Sequence, residues 1–66
     1  MRLLLNGMSR EFPHDLTVAA LLQIEGEPPS HVVVEVNSEY VPKAQYPTRR
    51  LAEGDRVETI LPAFGG

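Results

Sequence analysis

The pattern of apolar and polar positions is cleanest over residues 31–37. There Val32, Val34 and Val36 point one way and His31, Val33, Glu35 and Asn37 the other. Period two with β-branched residues predicts a half-buried strand. Residues 56–61 repeat the alternation, with Val57, Thr59 and Leu61 set against Glu58 and Ile60, and Pro62 stops it. Residues 2–6 read as a leucine-rich strand, and Asn6-Gly7 is a strong two-residue hairpin signal because both residues tolerate positive φ. Residues 8–12 return as the second strand, with Met8, Arg10 and Phe12 against Ser9 and Glu11, although Arg10 blurs the pattern. Pro13 cannot donate to a ladder and ends it. Asn37-Ser38 offers a second turn, and Tyr40-Val41 a short edge piece ended by Pro42.

One stretch has a helical period instead. Thr17 is a good N-cap, Leu16 and Leu21 are spaced as a hydrophobic staple, and Val18, Leu21 and Leu22 form one apolar stripe. Gly26, Pro28 and Pro29 close this helix after about two turns, too short to persist without packing on the sheet. Residues 43–53 lack periodicity and read as loop with one helical turn, and Glu53-Gly54-Asp55 reads as a turn. The order β-β-α-β-(β)-β predicts an α+β fold: a sheet of four to five strands with one helix packed on one face. The simplest core is Leu3, Leu5, Leu21, Leu22, Val32, Val34, Val36, Val57 and Leu61. The domain spans residues 1–61, and residues 62–66 are expected to be a mobile tail ending in Gly-Gly.

Size and composition narrow the function. A chain of 66 residues is one domain at most. It buries only about 60% of its unfolded surface, which leaves no room for a deep cleft and argues against a self-contained enzyme. Apolar and charged fractions of 42% and 23% are those of an ordered globular domain. The formal net charge of -3 makes nucleic acid an unsuitable partner, since Arg49-Arg50 is the one adjacent basic pair. The mild acidity fits docking on a basic or neutral protein surface. With no cysteine, disulfides, zinc–thiolate sites and thiol chemistry fall away, as suits a reducing cytoplasm. No apolar run approaches the roughly 20 residues of a membrane span. The run that opens the chain breaks at Asn6-Gly7, far short of a signal peptide's apolar core.

The side chains offer little chemistry. His14 and His31 have no ligand-like spacing, and exposed or capped histidines describe them better than a metal site. Glu25 and Glu27 flank a glycine in a loop and read as solvated. Gly54 belongs to a turn, because no helix start or second glycine follows to make a phosphate loop. Gly65-Gly66 differs. Chance alone would put such a pair at a chain end in about one of 200 chains, so its context matters. The pair follows a proline-bounded tail leaving the last strand. Lacking Cβ atoms, it can thread a narrow channel in an extended form. Its carboxylate, with a pKa of about 3.5, is anionic at neutral pH. It can attack the α-phosphate of ATP when a partner enzyme supplies Mg²⁺. An inert, frayed end is the competing reading.

Several short stretches together resemble a known family. They are Leu5-Asn6-Gly7, Thr17-Val18 with Leu21-Leu22, Val36-Asn37 followed by Val41-Pro42, Glu53-Gly54-Asp55, Val57-Glu58 and Gly65-Gly66. In order, spacing and total length the chain is similar to sulfur carrier proteins of the ubiquitin-like β-grasp class, most of all the ThiS family of thiamin biosynthesis. The resemblance implies that the chain is a carrier and not an enzyme, with no cofactor bound by itself and no metal. An E1-like (ThiF-like) adenylyltransferase would activate the Gly66 carboxylate with ATP and Mg²⁺. A persulfide would convert it to a thiocarboxylate, and a thiazole synthase (ThiG-like) would accept the sulfur. Gly65 and Phe64 would thread the partner's channel, although such carriers often have a small residue where Phe64 stands. Pro62 resembles the related small subunit of molybdopterin synthase, and a ubiquitin-like modifier joined to lysines is a further alternative. In this fold the sheet face away from the helix commonly binds the activating enzyme, which would place Val33 and Ile60 on a docking surface. Single exposed apolar residues are also ordinary.

Overall fold

A computed structural model of the chain describes residues 1–62. Its strands are β1 (Arg2–Leu5), β2 (Met8–Glu11), β3 (Val33–Val36), β4 (Glu39–Val41) and β5 (Arg56–Ile60), with helix α1 (Val18–Glu25) between β2 and β3. Short 3-10 turns occupy Pro29–His31 and Lys43–Gln45. The five strands form one mixed sheet in the order β2-β1-β5-β3-β4. β1 runs parallel to β5, and the other pairings are antiparallel. The last strand in sequence therefore lies at the centre of the sheet, where both neighbours were made much earlier in the chain.

The two hairpins follow from their turn residues. Asn6 and Gly7 have φ of 51° and 82°, and Asn37 and Ser38 have 52° and 69°. These are the paired positive values of a type I′ turn, whose twist matches that of the strands it joins. α1 begins as its cap predicts: the Thr17 hydroxyl accepts from the Ala20 N–H at 3.1 Å. The remaining N–H groups of its first turn find partners in the irregular segment 46–51. Val18 donates to the Arg49 carbonyl and Ala19 to the Tyr46 carbonyl, both at 2.9 Å. Leu51 N–H closes the junction on the Leu16 carbonyl at 2.9 Å. A two-turn helix is thus tied at its start to a distant loop and closed at its end by Gly26 in the left-handed conformation.

Val18, Leu21 and Leu22 of α1 pack with Leu3, Leu5, Val32, Val34, Val36 and Val57 in the core. Val41 of β4 completes it, with Phe12, Leu16, Tyr46 and Leu51 from outside the regular elements. Two expectations need correction. Leu61 is not a core residue; it is 62% exposed and lies beyond β5. The alternation continues through it on paper, but the ladder with β3 ends at the Val33–Ile60 pair, so no neighbouring strand holds residue 61 inward. Residues 8–12 do not all form a strand either. β2 stops at Glu11 with all four residues exposed, while Phe12 turns into the core.

Candidate functional site

The expected tail-threading residues Phe64 and Gly65 and the expected reactive residue Gly66 lie outside the described residues. What is described is the platform from which they depart: β5, Leu61 and Pro62. On one side β5 is held by β3 through the pairs Val36–Val57 to Val33–Ile60. On the other, Leu4 N–H donates to the Asp55 carbonyl at 3.0 Å and Asn6 N–H to the Val57 carbonyl at 2.9 Å.

β1 ends before β5 does, and side chains finish the ladders. In a regular parallel ladder the next bond would run from Thr59 N–H to the main-chain carbonyl of Asn6. The chain has already turned there, and the side-chain Oδ1 of Asn6 accepts in its place at 2.9 Å. The same amide donates through Nδ2 to the Thr59 hydroxyl at 2.9 Å. Asn37 repeats the device at the other end of β5. Its N–H donates to the Arg56 carbonyl at 2.7 Å, and its Oδ1 accepts from Arg56 N–H at 3.0 Å. Its Nδ2 donates to the Asp55 carboxylate at 3.0 Å, which also accepts from Ala52 N–H at 2.8 Å. Both hairpin asparagines were legible as turn residues. Their second role, as substitutes for backbone on β5, has no signature in sequence spacing.

The sheet face opposite α1 carries Val33 and Ile60, and the structure brings them together as direct cross-strand partners. Val33 is half-buried and Ile60 is 42% exposed. Leu4, at 39%, and Tyr40, at 63%, add apolar surface to the same face. Between them Glu35 and Glu58 stand directly opposite one another, and among the described residues neither has an ion-pair partner. Like charges in that relation oppose strand pairing. Other acids are engaged: Glu11 pairs with Arg2 at 2.8 Å, and Glu25 with Arg10, which also lies 5.1 Å from the centre of the Phe12 ring.

Elsewhere the described residues hold no cluster of three or more His, Cys, Asp or Glu able to bind a metal ion. No described helix is long and apolar enough to cross a membrane. An open groove of 680 Å³ between the end of α1 and residues 27–29 is lined by Ala19, Leu22, Gln23, Gly26, Glu27, Pro28 and Pro29. Its sole ionisable side chain is Glu27, so it offers no acid–base pair. Tyr46 titrates away from its ordinary value. Burial pushes its pKa up, with nearby Tyr40 adding to the effect, and its hydroxyl donates to the Val32 carbonyl at 2.7 Å inside the core.

The family model described as the ThiS family matches residues 3–66. The chain belongs to the ThiS family. A crystal structure of a thiamine biosynthesis protein (ThiS) from Geobacter metallireducens superposes with a TM-score of 0.87 at 28% identity, covering all of both chains. A solution structure of a thiamine biosynthesis protein from Geobacter metallireducens gives a TM-score of 0.82 at 28% identity, covering all of this chain and 88% of that one. The five-stranded mixed sheet with one helix is therefore the ThiS β-grasp. A curated relative, a thiazole synthase of Paramagnetospirillum magneticum, is 39% identical over all 66 residues. This ThiS-family chain spans about a fifth of that relative's length (20%).

Proposed function

We propose that this chain is a sulfur carrier of thiamin biosynthesis, acted on by enzymes and not itself one. The observation that carries the reading is the extent of the family match: it runs from residue 3 through Gly65 and Gly66, so it takes in the terminal pair together with the sheet that presents it. An oxygen of the Gly66 carboxylate attacks the α-phosphorus of ATP, bound with Mg²⁺ in an E1-like adenylyltransferase. Pyrophosphate leaves and an acyl-adenylate remains. The terminal sulfur of a persulfide then attacks the acyl carbon and displaces AMP. A thiol cleaves the resulting sulfur–sulfur bond, leaving the thiocarboxylate on Gly66 and a disulfide on the donor side. A thiazole synthase accepts that sulfur. The relative named as a thiazole synthase favours this acceptor over molybdopterin.

Each part of the chain has a share in this scheme. Gly65 and Gly66 lack Cβ atoms and can pass a channel that closes around extended backbone. Phe64 requires a pocket of its own at the channel mouth. Val33 and Ile60, with Leu4 and Tyr40, give the activating enzyme an apolar surface beside the root of the tail. In this scheme ATP and Mg²⁺ belong to the partner. The test is reconstitution with an E1-like adenylyltransferase, ATP, Mg²⁺ and a persulfide donor, followed by intact-mass spectrometry. A gain of about 16 Da, sulfur for oxygen, is expected on the full chain and not on one lacking Gly66. Heavier adducts joined to lysines of other proteins would point to a modifier instead.

A further inference from the structure

We infer that Asn6 is a positioning residue for the terminal segment: its side chain aims the chain where it leaves the sheet. The inference rests on the carrier reading for its consequence, though not for its geometry. β5 ends at Ile60, one residue after Thr59. On the β1 side, the last hydrogen bonds to reach β5 involve the Asn6 amide, whose Oδ1 accepts from Thr59 N–H and whose Nδ2 donates to Thr59 Oγ1, at 2.9 Å each. The orientation of that amide is fixed, because Thr59 N–H can only donate and must meet Oδ1. Without the side chain, β5 would be held beyond Val57 from the β3 side alone, through the Val34–Thr59 and Val33–Ile60 pairs. A strand end held from one side can swing about that ladder, and every following residue swings with it. Productive activation requires a reacting atom to be placed closely, so the swing would lower the fraction of encounters in which Gly66 finds the channel.

The molecule contains its own control. Asn37 has the same positive φ, sits in the same kind of turn and makes the same acceptor substitution on β5, but at Arg56, where the strand begins. Asn6→Gly and Asn37→Gly each keep a residue suited to left-handed backbone and remove one bridging amide. Both are therefore expected to lower thermal stability by similar amounts, whereas only Asn6→Gly disturbs the exit of the tail. In steady-state adenylation, measured as ATP–pyrophosphate exchange with the activating enzyme, Asn6→Gly is expected to raise KM for the chain about tenfold with kcat little changed. Asn37→Gly is expected to leave KM alone. Asn6→Asp, which keeps the acceptor for Thr59 N–H, should recover most of the loss.

A second readout does not depend on any enzyme. The ¹⁵N relaxation order parameter of the Leu61 amide should fall in Asn6→Gly and stay at the wild-type value in Asn37→Gly. Equal KM changes in the two glycine variants, or an unmoved Leu61 amide in Asn6→Gly, would overturn the positioning role and leave the carrier reading standing. A wild-type chain that no E1-like enzyme adenylates would refute the carrier reading, and the relaxation comparison would still decide the role of Asn6.

Discussion

The two faces of the sheet are made from the same strands yet obey different rules. Toward α1, Leu3, Leu5, Val34, Val36 and Val57 are all within a few percent of complete burial. On the other face, Leu4, Ile60 and Tyr40 are substantially exposed, and two glutamates face each other without a counter-ion among the described residues. A domain of 66 residues has little stability to spare. It nonetheless leaves apolar area in water and like charges directly opposite one another on the open face. The closed face is answerable for the fold. The open face is free to carry features that make sense only when something covers it.

The comparison breaks first if the closed face proves tolerant. Leu21 is fully buried in α1, and Leu21→Ala should cost about 2–5 kcal/mol, most or all of the stability of such a domain. Urea unfolding would show the midpoint collapse, and any loss of activation should track the unfolded fraction. On the open face Ile60→Thr should do the reverse. Its stability is expected within about 0.5 kcal/mol of the wild type, while KM for the activating enzyme rises about tenfold. Loss of folding without loss of docking at residue 60 would erase the distinction.

Tyr46 sharpens the account of the closed side. Its pKa is raised by burial, so the folded state holds the phenolic proton more tightly than the unfolded state does. Its contribution is therefore complete below the unfolded value of about 10 and is lost as pH rises through the higher folded value. Thermal melts from pH 8 to 11 should show that decline. Tyr46→Phe should remove it, at a cost of about 1 kcal/mol for the lost bond to the Val32 carbonyl. The smallest effect belongs to Glu58→Gln. Relieving the Glu35–Glu58 opposition should stabilise the isolated chain by a few tenths of a kcal/mol, roughly the scale of a cross-strand pair. Destabilisation there would mean that the pair is not repulsive.

Legibility in the sequence divides along related lines. The buried residues Val34 and Val36 of β3, the Thr17 cap and the Asn6-Gly7 turn are local signals found where the pattern places them, and Val32 is buried as expected but lies just ahead of β3. Val33 and Ile60 fell on the open face by alternation alone. Tyr46 and Leu51 reach the core from irregular segments, where no period marks them, and Tyr46 does so through contacts with the start of α1. Leu61 failed for a related reason: alternation describes one strand, whereas burial depends on whether a neighbour extends that far. The Gly65-Gly66 pair is visible in the sequence, but the bracing of β5 by Asn6 and Asn37 is not, because it joins turns to a strand 19 to 53 residues away.

The central claim is that the Gly66 carboxylate is loaded with sulfur. It is tested most directly by intact-mass spectrometry of the full chain after incubation with the E1-like enzyme, ATP, Mg²⁺ and a persulfide donor. The account predicts a gain of about 16 Da that maps to Gly66 and vanishes when that residue is deleted. An unchanged mass under conditions that load another ThiS-family carrier, or the same gain without Gly66, would contradict it.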